Sequence, residues 1–493
     1  MREQIKSSNN CGKLVLLIGV LMAVPLLVLP FYSQEIKYAF CFLIPSVCSV
    51  ILGIMLCFFM KKEEEEGMQW QYTMRTGSLT VVFAWMFAFL VGGTPFFLSG
   101  QLTYIQCVFE AVSGWTTTGL SVVDVTETPN IFLFHRGFMQ FCGGLGFVLM
   151  MVMFIQGKQS VNLYNAEGHT DRLMPNLAKS ARTVFCMYTS FLTVGSGAYM
   201  FCGMNPLDSV VHAMCALSTG GFSNQADSIG AYNSFPIEII TMILMIAGTT
   251  NFAVLLLLVK RKFRQARQVS EMRFLALLLA VSVPLTAVTL FAKLYMSIGD
   301  SFRQALFNVV SALSTSGFST MSYQEWPAVS VGIMIILMLI GGGIGSTAGG
   351  MKLTRVYLMF RFAGDVVKKR VSPSRRVRAL SYYRAQGKAP INQALILDTT
   401  GYVFCYLLIF AAGSLLLTLT ADCSLAEAMF EFASSLGTVG LSIGLTGPST
   451  GTPTLIVEIA GMVLGRLEIF IVMTAFYSGL TAVRQRLSER KKI

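Results

Sequence analysis

Thr117-Thr118-Gly119-Leu120-Ser121 is the first of four occurrences of one short pattern, Thr-x-Gly-(Leu/Phe)-Ser, in a chain of 493 residues. The others are Thr219-Gly220-Gly221-Phe222-Ser223, Thr315-Ser316-Gly317-Phe318-Ser319 and Thr438-Val439-Gly440-Leu441-Ser442. Recurrence at intervals of roughly one hundred residues marks an internal fourfold repeat. A short apolar segment precedes each copy: Thr103–Trp115, Asp208–Leu217, Asp300–Leu313 and Ser424–Leu436. Crossing a bilayer takes ~20 apolar residues, so these segments read as re-entrant helices. Asp208 and Asp300 suit helix N-termini, where the dipole is positive. Aligned on the glycine, a serine stands six residues upstream in three copies (Ser113, Ser311, Ser434), with Cys215 in the second. Packing by small residues would account for these segments but leaves the repeated Thr-x-Gly unexplained.

The composition agrees with a membrane protein. Hydrophobic residues make up 54% and charged residues 13% of the chain, and mean hydropathy is +0.64. Ten segments reach bilayer length, near 14–32, 38–60, 77–98, 131–155, 183–203, 235–259, 274–296, 328–360, 394–420 and 454–482. The first carries Pro25 and Pro30 without a small-residue cleavage site and is expected to be retained. The longest polar interval, about 361 to 393, leaves no room for a soluble domain. A net charge of +12 could suggest nucleic acid, but Lys and Arg cluster in 1–13, 61–75, 156–182, 260–273, 352–388 and 484–492. Ten spans put all these segments on one side, so the excess reports both termini as cytoplasmic. It adds anionic lipid or an acidic cytoplasmic partner as expectations, and no nucleic acid. Lys37, Arg136, Lys293 and Arg303 are expected near the opposite face. Eleven cysteines without Cys-x-x-Cys pairs, and three scattered histidines (His135, His169, His212), argue against a disulfide or metal framework.

Dehydrating a cation takes a ring of oxygens, which extended backbone supplies where glycine permits the dihedrals. The expected filter is Thr117, Thr118 and Gly119; Thr219, Gly220 and Gly221; Thr315, Ser316 and Gly317; and Thr438, Val439 and Gly440. The four motifs hold no carboxylate, which favours a monovalent over a divalent ion. A second repeat falls mid-span beyond each filter: Gly143-Gly144-Leu145-Gly146, Ala247-Gly248-Thr249-Thr250, Ile340-Gly341-Gly342-Gly343-Ile344-Gly345 and Gly465-Arg466. Close helix packing is the expectation for the first two. The third, with Gly341, Gly342, Gly343, Gly345, Gly349 and Gly350 followed by Lys352, reads as a broken helix or plug. Arg466 sits inside an apolar span, where a charge costs at least ~2.5 kcal/mol. It either marks a constriction below the filter or bonds carbonyls of the Gly-rich loop. Glu468 is not placed to pair with it.

These residues resemble the superfamily of K⁺ transporters that includes bacterial TrkH and KtrB and plant HKT proteins. The resemblance is carried by Ser113-Gly114-Trp115-Thr116-Thr117-Thr118-Gly119, by Gly341-Gly343 through Gly345-Ser346-Thr347-Ala348-Gly349-Gly350-Met351-Lys352, and by Gly465-Arg466-Leu467-Glu468. Two extra N-terminal spans look like TrkH, whereas the fourth filter, Gly437 to Ser442, looks more like KtrB. The resemblance implies an all-α polytopic fold of four span, pore helix, filter and span repeats. It implies K⁺ uptake across a bacterial plasma membrane, K⁺ at the filter residues, a homodimer, and a TrkA- or KtrA-like nucleotide-binding regulatory subunit. It also implies a gating loop at Gly341–Gly350 and a role for Arg466 in the constriction. The expected division is 1–75 for the N-terminal helices, then repeats at 76–181, 182–273, 274–392 and 393–493. Na⁺-dependent or less selective monovalent transport is the alternative. An enzyme is not expected, since no carboxylate, His or Cys cluster converges at one depth, and neither catalytic residues nor a cofactor are assigned. A scaffold would not need four filters, and a rocking carrier would invert its repeats.

Overall fold

In lipid, backbone groups must be satisfied within the chain, and this chain does so almost entirely with helices. The structure is a computed structural model that describes residues 2–64, 74–146, 177–371, 380–477 and 481. His169, the end of the 131–155 segment, and the parts of the basic segments within 65–73, 147–176, 372–379 and 482–493 lie outside the described residues.

Among the described residues six helical stretches are long and apolar enough to cross a membrane: Cys11–Val28, Ser33–Phe58, Leu79–Ser99, Lys179–Phe201, Ser270–Leu294 and Gln393–Thr420. They coincide with six of the ten expected spans. The first two pack as a hairpin on small residues. A side chain at Gly19 would come within 2.8 Å of the Val50 amide nitrogen, and one at Gly53 within 2.7 Å of that of Leu16. Glu35, at the start of the second, accepts hydrogen bonds from the Asn130 and Ile131 amides at 2.9 and 2.8 Å, which docks the hairpin on a helix N-terminus of the first repeat.

The four short segments are helices, Tyr104–Trp115, Pro206–Leu217, Ile298–Ser314 and Leu425–Leu436. Each starts at a residue built to cap it. Asn205 accepts from the Leu207 amide, Ser297 from the Asp300 amide, and Thr103–Gln106 and Ser424–Glu427 form capping boxes.

The second spans of the first, second and fourth repeats depart from expectation, while that of the third breaks at its glycines as expected. Asn130–Leu145, Phe235–Thr249, Ala328–Ile340 and Thr452–Arg466 all stop partway across. The second bends by 116° into Phe252–Val259, and the fourth restarts at 469 after a left-handed Glu468. Close packing, expected for the first two, is present together with the break. A Cβ on Gly143, Gly248 or Gly465 would overlap the carbonyl of Trp115, Leu217 or Leu436, the fourth residue before each filter glycine. These glycines bring the spans against the ends of the short helices just before each span stops. The 361–393 interval adds Leu353–Val371 and an antiparallel hairpin, β1 (Ser381–Arg384) with β2 (Gly387–Pro390).

Candidate functional site

Each short helix ends in the same way. The amides of Thr118, Gly220, Ser316 and Val439 bond the carbonyls of Ser113, Cys215, Ser311 and Ser434 at 2.8–3.0 Å. The amides of Thr117, Thr219, Thr315 and Thr438 bond the carbonyls of Gly114, Ala216, Ala312 and Ser435 at 3.1–3.3 Å. This is a Schellman termination, which needs a left-handed residue just past the helix. Here that residue is threonine in all four copies, with φ of 56°, 54°, 55° and 48°. Left-handed backbone costs a non-glycine residue about 1–2 kcal/mol, so the chain sustains this strain four times. Two residues on, Gly119, Gly221, Gly317 and Gly440 are left-handed again, with φ of 97°, 74°, 74° and 96°. The residue between is not. Alternating handedness turns successive carbonyls to one side, unlike a strand, where they alternate.

The four segments close on one another in cyclic order. A Cβ on Gly119 would overlap the carbonyl oxygen of Gly220, on Gly221 that of Ser316, on Gly317 that of Val439, and on Gly440 that of Thr118. Glycine is required at these positions for close approach as well as for φ. All twelve expected filter residues thus meet around one axis.

A layer of polar side chains braces this ring, and sequence reading missed it. Glu110, His212, Asn308 and Glu431 stand at one aligned position, nine residues before each filter glycine, and all are fully buried. Each binds the chain just after its filter: Glu110 the Ser121 hydroxyl and Val122 amide, His212 the Ser223 hydroxyl, Asn308 the Thr320 hydroxyl, and Glu431 the Ile443 amide. The signal was a polar residue in an apolar helix at one register, concealed by its changing type. Arg136, expected near the outer face, is buried and pairs with Glu110 at 2.6 Å, its guanidinium 4.2 Å from the Phe222 ring centroid. Gln140 clasps the second filter, donating to the Gly220 carbonyl at 2.6 Å and accepting from the Phe222 amide at 3.1 Å. In repeats 1 and 4 the upstream serines act directly: Ser113 and Ser434 hydroxyls accept from the Gly119 and Gly440 amides at 3.0 Å.

On one side the ring opens into a vestibule of about 630 Å³, walled by all four filter glycines and the segments that follow them. Asp124 on its rim is held below the usual carboxylate range by the Thr126 hydroxyl and amide. On the other side lies the Gly-rich loop. Its ends cross at Gly341 and Gly350, where either Cβ would come within 2.7 Å of the other's Cα. Between them the chain runs directly under the filter threonines. The Thr347 hydroxyl contacts that of Thr219 at 3.2 Å, the Gly349 amide donates to the Thr315 hydroxyl at 2.8 Å, and a Cβ on Gly349 would overlap the Thr438 hydroxyl. The loop is sewn to the bend of the second repeat through the Thr347 amide to the Gly248 carbonyl and the Gly343 amide to the Thr249 carbonyl.

Arg466 completes this layer. Its Nη1 donates to the Thr347 carbonyl at 2.7 Å and its Nη2 to the Gly143 carbonyl, bridging the loop to the broken span of the first repeat. Glu468, left-handed and past the helix end, pairs with Arg355 at 2.9 Å, not with Arg466. Lys352 turns its Nζ to the Ala348 carbonyl. Arg466, Lys352, Gly349 and Gly144 line a cavity of about 60 Å³ beside the loop. All four repeats therefore meet twice on one axis, first as a ring of carbonyls and then as a layer of loop and Arg466. Thr347 is the loop residue that sequence reading did not single out.

The family model for TrkH, described as a cation transport protein, matches residues 46–481. The chain is 29% identical over 485 residues to the Trk system potassium uptake protein TrkG of Escherichia coli, covering 95% of this chain and 97% of that protein. It is equally 29% identical to TrkH of the same organism, over 94% of this chain and 96% of that one. The crystal structure of the potassium transporter TrkH from Vibrio parahaemolyticus superposes with a TM-score of 0.82 at 27% identity, covering 96% of this chain and 98% of that one.

Proposed function

The chain belongs to the TrkH family of cation transport proteins, and we propose that it carries K⁺ into a bacterial cell through the ring formed by Thr117–Gly119, Thr219–Gly221, Thr315–Gly317 and Thr438–Gly440. One observation carries this reading: four left-handed Thr-x-Gly segments packed glycine to carbonyl in a closed cycle. Helix C-termini converge on that ring and favour a cation, and the motifs add no carboxylate that would select a divalent one. The buried hydroxyls of Thr117 and Thr438, without a protein partner among the described residues, fit positions that meet an ion or its water. The Gly341–Gly350 loop and Arg466 serve as the gate beneath the filter. Basic segments at 260–273 and 352–388 support a reading in which the hairpin side faces the cytoplasm and the vestibule faces outward from the inner membrane. The same basic surface suits an acidic, nucleotide-binding regulatory subunit, and the family likeness suggests a homodimeric assembly. The repeat boundaries follow the filters, at 76–181, 182–273, 274–392 and 393–493.

The test is flux into proteoliposomes. Gly221→Ser places an atom on the Ser316 carbonyl, so the K⁺ to Na⁺ flux ratio is expected to fall at least about tenfold. An unchanged ratio in Gly119→Ser, Gly221→Ser and Gly317→Ser would remove the filter assignment.

A further inference from the structure

The ionic residues of the second spans are matched by opposite charge in two repeats and not in a third. Arg136 in the first repeat meets Glu110 at 2.6 Å, and Glu238 in the second meets Arg303 at 2.7 Å. In the fourth, at the depth where the first repeat carries Arg136, the chain carries Glu458, which meets another acid. Glu431 and Glu458 are both fully buried, and the hydroxyl of Thr446 contacts Oε1 of each, at 2.8 Å for Glu458.

Hydrogen counting decides the state of this pair. The Thr446 hydroxyl holds one hydrogen, and an ionised carboxylate only accepts. With both acids ionised, one contact would set oxygen against oxygen with nothing between them. One carboxyl proton completes the chain. Glu431 already accepts from the Ile443 amide at 3.0 Å and the Thr446 amide at 3.2 Å, which favours its charged form. Glu458 has no other donor, and its Oε2 has no partner among the described residues. The proton therefore belongs to Glu458, which donates to Thr446, which donates to Glu431.

Among the described residues nothing else nearby supplies a positive charge, since the turn ahead of Leu425–Leu436 adds only two more acids, Asp422 and the Cys423 thiol. Of the helices packed on Thr452–Arg466, Leu425–Leu436 brings only Glu427 besides Glu431, and Glu427 is held by Ser424. Tyr104–Trp115 brings Glu110, already paired with Arg136, the thiol of Cys107 and the exposed phenol of Tyr104. The adjoining half of Gln393–Thr420 (407–420) and the loop 437–451 have no titratable side chain.

We propose that Glu458, Thr446 and Glu431 form a proton-binding site behind the vestibule wall, in which a proton takes the place that a guanidinium holds in the first repeat. Thr446 lines the vestibule, giving the proton a route to the outside. Glu431 ties down Ile443 and Thr446, the chain that leaves the fourth filter, so loss of the proton sets two buried like charges against one hydroxyl and loosens that segment. The consequence for K⁺ rests on the transport reading, whereas the site itself does not.

Infrared spectra of the full chain in lipid nanodiscs test the site without any flux. The difference between wild type and Glu458→Gln at neutral pH should show the carbonyl stretch of one protonated carboxylic acid, lost at alkaline pH. Absence of that band, or its persistence in Glu458→Gln with loss in Glu431→Gln, would overturn the assignment. Should Glu458→Gln fail to fold, Thr446→Val serves: the band should move to the frequency of a carboxylic acid without a hydrogen-bond acceptor, and an unmoved band would refute the relay. In proteoliposomes the K⁺ to Na⁺ flux ratio of wild type should drop at least about twofold as the outside is raised through the pH at which the band disappears. In Glu458→Gln it should not change with pH. A pH-independent ratio in wild type would overturn the latch.

Discussion

Replacing Arg466 by alanine removes two things at once, a brace and a barrier, and each can be sized. As a brace, the guanidinium makes charge-assisted bonds to the Thr347 and Gly143 carbonyls. Such bonds contribute about 1.5–3 kcal/mol each, so losing both costs about 3–6 kcal/mol and lowers the melting temperature. As a barrier, a fixed positive charge about 4 Å from a passing K⁺ raises its energy by about 4 kcal/mol at an effective dielectric of about 20. That is up to about a thousandfold in passage rate, less whatever water in the adjoining cavity screens. The prediction is therefore a protein that melts lower and conducts faster, measured as Rb⁺ uptake per folded molecule in proteoliposomes alongside a thermal melt. Arg466→Lys separates the two roles, since it keeps the charge but cannot fork to both carbonyls. It should melt low and stay slow. If Arg466→Ala melts low and its flux per folded molecule falls or stays level, the charge is a brace alone and the gate assignment fails.

Arg136→Met leaves the Glu110 carboxylate buried without its cation, at a cost of about 3–5 kcal/mol, and Glu110→Gln with Arg136→Met should recover most of the loss in a melt. Gly143→Ala drives a methyl into the Trp115 carbonyl and should displace the first short helix, lowering yield of folded protein. Gly332→Ala, with open space around it on a helix, should be neutral or stabilising by about 0.5–1 kcal/mol by the same measure. Gln140→Ala frees the Gly220 carbonyl and Phe222 amide, so the second filter should relax and the K⁺ to Na⁺ flux ratio should fall without a change in Gly119 or Gly440 geometry.

The closed ring of Thr-x-Gly segments was legible because its geometry forces residue identity. Only glycine tolerates both the left-handed backbone and the neighbouring carbonyl at 119, 221, 317 and 440, so the sequence repeats there. The short helices were legible from length and from the acidic residues Asp208 and Asp300 in their first turns, although their caps, Asn205 and Ser297, lie three residues earlier than the starts read. The breaks after Leu145 and Thr249 were not, because the glycines read for packing, Gly143 and Gly248, lie inside the helices, whereas the chain turns beyond them at Gly146 and Thr250. The polar braces were hidden for the opposite reason. Glu110, His212, Asn308 and Glu431 do one job with three side-chain chemistries, and only the common register ties them together. Glu458 was passed over within a span read as apolar apart from Arg466. Its meaning depends on Glu431, distant in sequence and facing it only in the fold.

The most direct test of the central claim is where the ion sits. Anomalous diffraction from crystals equilibrated with Rb⁺ locates a heavy K⁺ analogue without reference to rates. The account predicts density on the axis, ringed by the carbonyls of Thr118, Gly220, Ser316 and Val439 and above the Thr347–Gly349 loop. Density confined to the vestibule or absent from the ring, in protein that transports Rb⁺, would contradict it.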